Sequence, residues 1–180
     1  METVALFGGS FDPPHIGHEA IVKALLDLKE IQKVVIMPTF LNPFKSKSYA
    51  PSELRVKWLK KIFQPYKNVE VNTFETQQAK KVPTIESVKY LLKKYDKVYL
   101  VIGADNLGSL QNWYRYDELS KLVTFIVANR DNIKIPQDFL RLEIDVDISS
   151  TELRNNLDTS KLPQPCAQEI MKFYKETNAK

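Results

Sequence analysis

The stretch Gly8-Gly9-Ser10-Phe11-Asp12-Pro13-Pro14-His15-Ile16-Gly17-His18 decides the fold, because it joins an apolar strand to an amphipathic helix through a glycine turn. Before it, Val4-Ala5-Leu6-Phe7 is an apolar run of strand length. After it, apolar residues recur at three- and four-residue spacing, as on an amphipathic helix. These residues are Ile16, Ala20, Ile21, Ala24, Leu25 and Leu28.

The alternation of strands and helices continues along the chain. Further strands are predicted at Val34–Met37, Val69–Val71, Val98–Ile102, Phe125–Val127 and Leu142–Val146. Apolar stripes over Leu54–Ile62 and Ile85–Leu92 predict a second and a third helix. Parallel strands need crossovers, which are usually helices. We therefore expect an α/β fold with a Rossmann-like, doubly wound, mainly parallel sheet, helices on both faces, and a single domain over residues 1–180.

Composition restricts the partners. The 180 residues include 26 Lys and Arg and 22 Asp and Glu, and the lysine pairs are scattered, so the charge of +4 suits a phosphate ester but does not indicate nucleic-acid binding. No run of about 18 apolar residues and no leader pattern is present, which predicts a cytoplasmic protein with no membrane partner. Cys166 stands alone, so no intrachain disulfide can form.

The glycine turn is suited to a phosphate. Gly8 and Gly9 lack a Cβ, so we expect the backbone to turn sharply there and to approach an anion closely. Pro13 and Pro14 cannot continue a helix backward. We therefore expect the first helix to begin near His15, with free N–H groups directed at the ligand.

His15 and His18 are the two histidines of the chain, and at this spacing they would lie on one face of the helix at its positive end. Two imidazoles in the same turn predict contacts with a phosphate group. The alternative is that both are surface or capping histidines. Without a third histidine or a nearby cysteine they make a poor zinc site, so no metal held by the protein is predicted.

A second polar motif, Ile148-Ser149-Ser150-Thr151-Glu152-Leu153-Arg154, follows the last predicted strand. Ser149 or Ser150 is predicted to cap a short helix. The hydroxyl groups, together with Arg154 one turn further on, predict a receptor for a polyphosphate. A well-capped helix without that role is the alternative.

The two motifs together resemble the nucleotidyltransferase superfamily that carries a His-x-Gly-His and an Ile-Ser-Ser-Thr-x-x-Arg signature. Over almost its full length the chain is similar to the nicotinate mononucleotide adenylyltransferase family within it. Three further features carry this resemblance: Ile102-Gly103-Ala104-Asp105 followed by Trp113, Lys45 after the second strand, and Thr84 ahead of the third helix.

The resemblance implies that the phosphate of nicotinate mononucleotide attacks the α-phosphorus of ATP directly, with Mg²⁺ carried on the ATP phosphates. It also implies a role for each matching residue. The implied catalytic residues are His15, His18, Lys45 and Arg154. The implied ATP-binding residues are Gly8, Gly9, Ser10, Phe11, His18, Gly103, Asp105, Ser150, Thr151 and Arg154. The implied mononucleotide-binding residues are Ser10, Phe11, Lys45, Thr84 and Trp113.

The chain departs from the family at two places, both on the side of the mononucleotide. Asn42-Pro43-Phe44-Lys45 stands where the family often has Pro-Pro-His-Lys, and Val82-Pro83-Thr84 stands where it usually has Ser-Tyr-Thr. Adenylyl transfer to nicotinamide mononucleotide or to phosphopantetheine therefore stays an alternative, as does a nucleotide sensor without turnover. Self-association into a homo-oligomer is left open.

Other expectations concern single positions. Residues Phe40 to Pro51 form the longest predicted loop, which could close over the site as a lid. Trp58 is expected in the core and Arg55, on the same helix, in solvent. Asp105 could cap a helix instead of binding a ribose, and Trp113 could belong to the core instead of stacking on a pyridine ring.

Overall fold

The computed structural model describes residues 1–41, 47–129, 133–146 and 148–178. Six strands form one sheet: β1 (Thr3–Gly9), β2 (Lys33–Pro38), β3 (Val69–Val71), β4 (Lys97–Gly103), β5 (Val123–Asn129) and β6 (Leu140–Glu143). Their order is β3-β2-β1-β4-β5-β6, and every neighbouring pair is parallel. The order reverses between β1 and β4, which is where ligands bind in sheets of this kind.

Helices connect and flank these strands. They are α1 (Ile16–Leu26), α2 (Ser52–Phe63), α3 (Phe74–Gln77), α4 (Thr84–Leu92), α5 (Tyr116–Leu122), α6 (Ser150–Asn155) and α7 (Ala167–Asn178). Short 3-10 turns follow β4 and precede α7. None of the helices in the described part of the chain is long and apolar enough to cross a membrane.

The core has two halves, one on each face of the sheet. Alternate residues of β1 point to opposite faces, so that Ala5 and Phe7 pack with α1, α2, α6 and α7, whereas Val4 and Leu6 pack with α4 and α5. Helices therefore cover both faces of a parallel sheet, and the predicted doubly wound α/β fold is confirmed. Trp58 is buried among α2 and α7, as predicted.

Some element predictions were wrong or incomplete. The sixth strand was predicted to reach Val146, but β6 ends at Glu143 because its partner β5 ends at Asn129, opposite that residue. The sequence analysis also missed α3, α5 and α7. The apolar spacing of Ile170, Met171 and Tyr174 on α7 was a usable signal. The middle of the predicted lid lies outside the described residues.

Candidate active site

Two adjoining cavities open at the carboxyl ends of β1 and β4. The first has a volume of about 270 Å³ and the second about 210 Å³. The two cavities share part of their lining, which consists of Phe7, Gly8, Gly103 and Asn106. A molecule that fills both cavities would pass over Gly8 and Gly103.

The first cavity brings together most of the residues implied for ATP. It is lined by Gly8, Ser10, Phe11, His18, Gly103, Asp105, Ser150 and Arg154, and also by His15. Two implied residues lie elsewhere. Gly9 lines the second cavity instead, and Thr151 lines neither of these two. The Thr151 hydroxyl accepts a hydrogen bond from Arg154 Nη2 at 3.3 Å.

The two histidines form the start of α1. His15 is the N-cap, and its Nδ1 accepts a hydrogen bond from the N–H of Gly17 at 3.1 Å. His18 Nδ1 accepts in turn from the N–H of His15 at 3.1 Å, and the two rings stack with centroids 3.7 Å apart. An Nδ1 that accepts carries no proton, so the proton of each neutral imidazole lies on Nε2.

The prediction of free N–H groups at the start of α1 was wrong for Gly17 and His18. The N–H groups of His15 and Gly17 bind imidazole nitrogens, and those of His18 and Glu19 bind the carbonyl of His15. Buried backbone donors without partners are costly, and the histidine side chains satisfy them here. Capping and a phosphate-contacting role are therefore compatible, since capping uses Nδ1 and leaves the proton on Nε2.

The sharp turn after β1 is made by a different residue from those predicted. Gly8 and Gly9 belong to β1 and, like every other described glycine, have no positive φ, whereas Phe11 has a φ of 50°. Gly17 is needed for space, because a Cβ there would lie 2.8 Å from Cε1 of His15. A Cβ on Gly103 would lie 2.6 Å from a carboxylate oxygen of Asp105. Both residues line the first cavity.

Asp12, between Phe11 and the two prolines, is buried and anchors three parts of the chain. Its carboxylate accepts hydrogen bonds from the N–H groups of Tyr49 at 2.7 Å and Ala50 at 3.0 Å. It also accepts one from the hydroxyl of Tyr174 on α7. The loop after β1 is therefore held by residues that are far away in the sequence.

Arg55 is not solvated as predicted but fully buried on α2. Its guanidinium binds four main-chain carbonyls, those of Ala50 (2.9 Å), Ser10 (2.7 Å), Thr39 (2.7 Å) and Phe40 (3.0 Å). Burial lowers the pKa of Arg55. The side chain ties the loop after β1 to the end of β2 and to the start of α2.

Arg154 and Ser150 approach the first cavity from α6. Arg154 Nη1 donates to the carbonyl of Asp12 at 2.6 Å, and its guanidinium lies 4.2 Å from the ring centre of Tyr49. It forms no ion pair with a described carboxylate, and the ion pairs between described residues lie away from both cavities. The Ser150 hydroxyl donates to the carbonyl of Pro13 at 2.9 Å, while Ser149 is the N-cap. The positive charge of Arg154 is thus held in place beside the cavity.

The second cavity contains both described residues that are implied for binding the mononucleotide but not for binding ATP. Thr84, the first residue of α4, and Trp113 both line it. Trp113 is half-buried against the α4 and α5 half of the core, and no described residue accepts from its Nε1. Ser10 and Phe11 line the first cavity instead. Lys45 lies outside the described residues.

Glu75, which the sequence analysis did not consider, also lines the second cavity. It is buried, and its carboxylate accepts a hydrogen bond from the Ser87 hydroxyl at 2.6 Å. Burial, opposed by this hydrogen bond and reinforced by the charge of Glu86, raises the pKa of Glu75 to about 7. No local pattern signals this residue, because a glutamate on a short helix such as α3 is usually exposed.

Comparison with known proteins identifies the family. The cytidylyltransferase-like family model matches residues 6–156. A relative from Sulfurimonas denitrificans, named "probable nicotinate-nucleotide adenylyltransferase", is 62% identical over 180 residues and is aligned over 100% of this chain and 99% of its own. A relative of the same name from Campylobacter fetus is 48% identical, with 98% and 99% coverage.

Solved structures agree on the fold. Nicotinic acid mononucleotide adenylyltransferase of Plasmodium falciparum, in a complex with NaAD, superposes with a TM-score of 0.81 over 99% of this chain and 98% of that one. The same enzyme in a complex with APC gives a TM-score of 0.78. At 19% identity these matches establish the architecture. The family model covers most of the chain, and the two relatives are similar to it over nearly their whole length. The chain therefore belongs to the cytidylyltransferase-like family and, within it, to the nicotinate-nucleotide adenylyltransferases.

Proposed function

We propose that this chain transfers the adenylyl group of ATP to nicotinate mononucleotide, forming nicotinate adenine dinucleotide and pyrophosphate. The observation that carries the proposal is the pair of adjoining cavities at the reversal of strand order, one beside His15, His18 and Arg154 and the other beside Thr84 and Trp113. ATP would occupy the first cavity and the mononucleotide the second. The names of the full-length relatives support the same reaction.

The reaction is a direct displacement. An oxygen of the acceptor phosphate forms a bond to the α-phosphorus of ATP, and the bond from that phosphorus to the oxygen bridging to the β-phosphorus breaks. Pyrophosphate leaves with the electron pair. No covalent bond to the enzyme is needed, so catalysis consists of positioning and charge stabilisation.

The histidines would stabilise the charge that moves onto the phosphate oxygens. Their Nε2–H groups would donate hydrogen bonds, because Nδ1 of each ring is an acceptor from the backbone. A donor held by backbone contacts need not reorganise during the reaction, which is what makes such stabilisation effective. Lys45, implied by the resemblance, is proposed to contact the transferring group.

The remaining residues would bind the substrates. Arg154 would hold the β- and γ-phosphates, aided by Ser150 and Thr151, while the backbone around Gly8, Gly9, Ser10 and Phe11 would contact other phosphate oxygens. Asp105 and Gly103 would face the ATP ribose, for which a carboxylate supplies acceptors. Thr84 and Trp113 would hold the nicotinate ring, with Trp113 stacking on it.

Mg²⁺ is proposed to arrive as part of the substrate, bound to the ATP phosphates. Among the described residues, no three His, Cys, Asp or Glu side chains lie close enough together to hold a metal ion. The ion would be coordinated by phosphate oxygens and water and would neutralise part of the phosphate charge. The cytoplasmic location and any homo-oligomer stay predictions.

The test is an assay of pyrophosphate release by the purified protein with Mg²⁺–ATP and three acceptors at equal concentration. The acceptors are nicotinate mononucleotide, nicotinamide mononucleotide and phosphopantetheine. We expect fastest release with the nicotinate compound, together with formation of its dinucleotide. Preference for either other acceptor would reassign the second cavity, and no release with any acceptor would favour a nucleotide sensor.

A further inference from the structure

Glu75 is an ionisable group in the acceptor cavity that the proposed reaction does not use. Its side chain is 7% exposed. Among the described residues that line the second cavity, it is the one that can carry a charge near neutral pH. The other lining residues are apolar side chains, glycines, threonines, Asn106 and Trp113.

The surroundings of Glu75 do not compensate a negative charge. The Ser87 hydroxyl from α4 donates to one carboxylate oxygen. The charged residue that acts on Glu75 is Glu86, on the exposed side of α4, and its charge is also negative. Thr39 after β2 and Trp113 after β4 approach the cavity without charge. No described Lys or Arg forms an ion pair with Glu75.

An acceptor nucleotide brings its own charge into this space. Nicotinate carries a carboxylate on its pyridinium ring, whereas nicotinamide carries a neutral amide. In a cavity of about 210 Å³, a pyridine ring bound beside Trp113 would share the same small space with Glu75. Because interactions between charges are strong in a desolvated cavity, an ionised Glu75 would attract the cationic pyridinium ring of either nucleotide but would repel the carboxylate that only the acid carries.

We propose that Glu75 is a specificity-determining residue of the acceptor cavity: its neutral, protonated carboxyl group admits the nicotinate carboxylate, and its ionisation shifts the preference toward the amide. The inference rests on the proposed function. A protonated carboxyl also has an O–H to donate, while its other oxygen continues to accept from Ser87. Burial raises the pKa of Glu75 to about 7, which places the change within the working range of an enzyme.

The experiment measures KM for the acid and for the amide acceptor between pH 6 and pH 8.5, with saturating Mg²⁺–ATP. The phosphate group of the acceptor titrates in both compounds, so its effect on KM cancels in the ratio of the two KM values. For the wild type we expect the acid-to-amide ratio of KM to rise above pH 7 with a limiting slope of about tenfold per pH unit. Glu75→Gln, which stays neutral, should give a flat ratio.

Glu86→Gln is the matched control, because it makes the same chemical change on the exposed side of α4 and leaves Glu75 in place. It should keep the slope of the wild type. A second measurement does not depend on the folding or activity of a variant. Calorimetric titration of the wild type in buffers of different ionisation enthalpy should show at pH 8 that the acid takes up close to one proton more than the amide does.

A wild-type KM ratio that does not change with pH, or equal proton uptake with acid and amide, would overturn the role of Glu75 while the proposed function stands. A slope that persists in Glu75→Gln would overturn it as well. Absence of turnover with either acceptor at every pH would instead overturn the proposed function, and this inference with it.

Discussion

At the scale of single residues, the two imidazoles owe their orientation to the backbone. Each Nδ1 accepts an N–H from the first turn of α1, so each ring has one allowed tautomer when neutral. Capping and catalysis are often treated as alternative explanations for a histidine at a helix start. In this chain the geometry allows the two ring nitrogens to divide those tasks: Nδ1 caps the helix, and we propose that Nε2 contacts the phosphates.

This division predicts different results for two substitutions of His18. Asn places an oxygen where Nδ1 lies but has no donor at the position of Nε2, whereas Gln places an N–H group close to Nε2. We expect His18→Asn to lower kcat by about a hundredfold or more, as for loss of a charge-stabilising donor, and His18→Gln to retain more activity. Steady-state kinetics with Mg²⁺–ATP measure both. Equal activity of the two variants would contradict a donor role.

Trp113 provides a test of the acceptor side. Trp113→Ala should raise KM for the mononucleotide far more than KM for ATP, because the ring lines the second cavity and not the first. The measurement is a pair of saturation curves. Equal increases in the two KM values would indicate a packing role in the core.

Glu75 predicts a pH dependence of stability. Its pKa is raised from the ordinary 4.5 to about 7, so the folded state holds the proton more tightly than the unfolded state does. The contribution to stability is present below pH 4.5 and is lost as the pH rises through 7. Relative to Glu75→Gln, the free energy of unfolding of the wild type should fall by about 3 kcal/mol over this range. Urea unfolding at pH 4.5 and pH 8 measures it, and a constant difference would refute the shift.

At the scale of elements, one buried arginine joins three of them. Arg55 of α2 binds carbonyls from the loop after β1, from the end of β2 and from the residues just before α2. Ser10, whose carbonyl is one of these acceptors, is also implied for phosphate binding. The position of the loop after β1 therefore depends on α2 as much as on its own glycines.

Arg55→Met should lower the free energy of unfolding by about 3–5 kcal/mol, because it leaves four main-chain carbonyls without their buried donor and removes a positive charge that acts on Asp12. Urea unfolding followed by circular dichroism measures the change. Lys60→Met is the control: Lys60 is exposed on the same helix, and its loss should change stability by no more than about 0.5 kcal/mol. Similar effects of the two substitutions would contradict a structural role for the buried guanidinium.

At the scale of the whole molecule, the C-terminal helix belongs to the same unit as the site. The family model ends at residue 156, but α7 packs Ile170, Met171 and Tyr174 into the core beside α2. The Tyr174 hydroxyl reaches Asp12 across 162 residues of sequence. We therefore propose that residues 1–180 are one domain, which should unfold in a single transition followed alike by fluorescence and circular dichroism.

Tyr174→Phe tests this link between the ends of the chain. Loss of a buried hydrogen bond to a carboxylate should lower the free energy of unfolding by about 1.5–3 kcal/mol. Tyr90→Phe is the matched control, since the Tyr90 ring is exposed and its hydroxyl has one long contact, 3.5 Å from Asn72. Chemical unfolding of both variants measures the difference, and equal stabilities would show that the Tyr174 hydroxyl contributes nothing.

The sequence by itself determined the alternation of strands and helices, the loop between β1 and α1, and the residues His15, His18, Ser150 and Arg154 beside the first cavity. These features depend on local periodicity and on motifs of a few residues, which are short-range properties of a chain. The boundary of β6 could not be predicted in this way, because it depends on where β5 ends.

Only the tertiary structure decided which polar groups are buried and what they bind. In the sequence Arg55 resembles any charged residue on a solvent-exposed helix, yet three of its four partners, Ser10, Thr39 and Phe40, come from other segments of the chain. The pKa of Glu75 is raised by burial and by the charge of Glu86 on α4, and no described cation forms an ion pair with it. Burial and charge compensation are sums over neighbours in space, and neighbours in space are set by the fold and not by the local sequence.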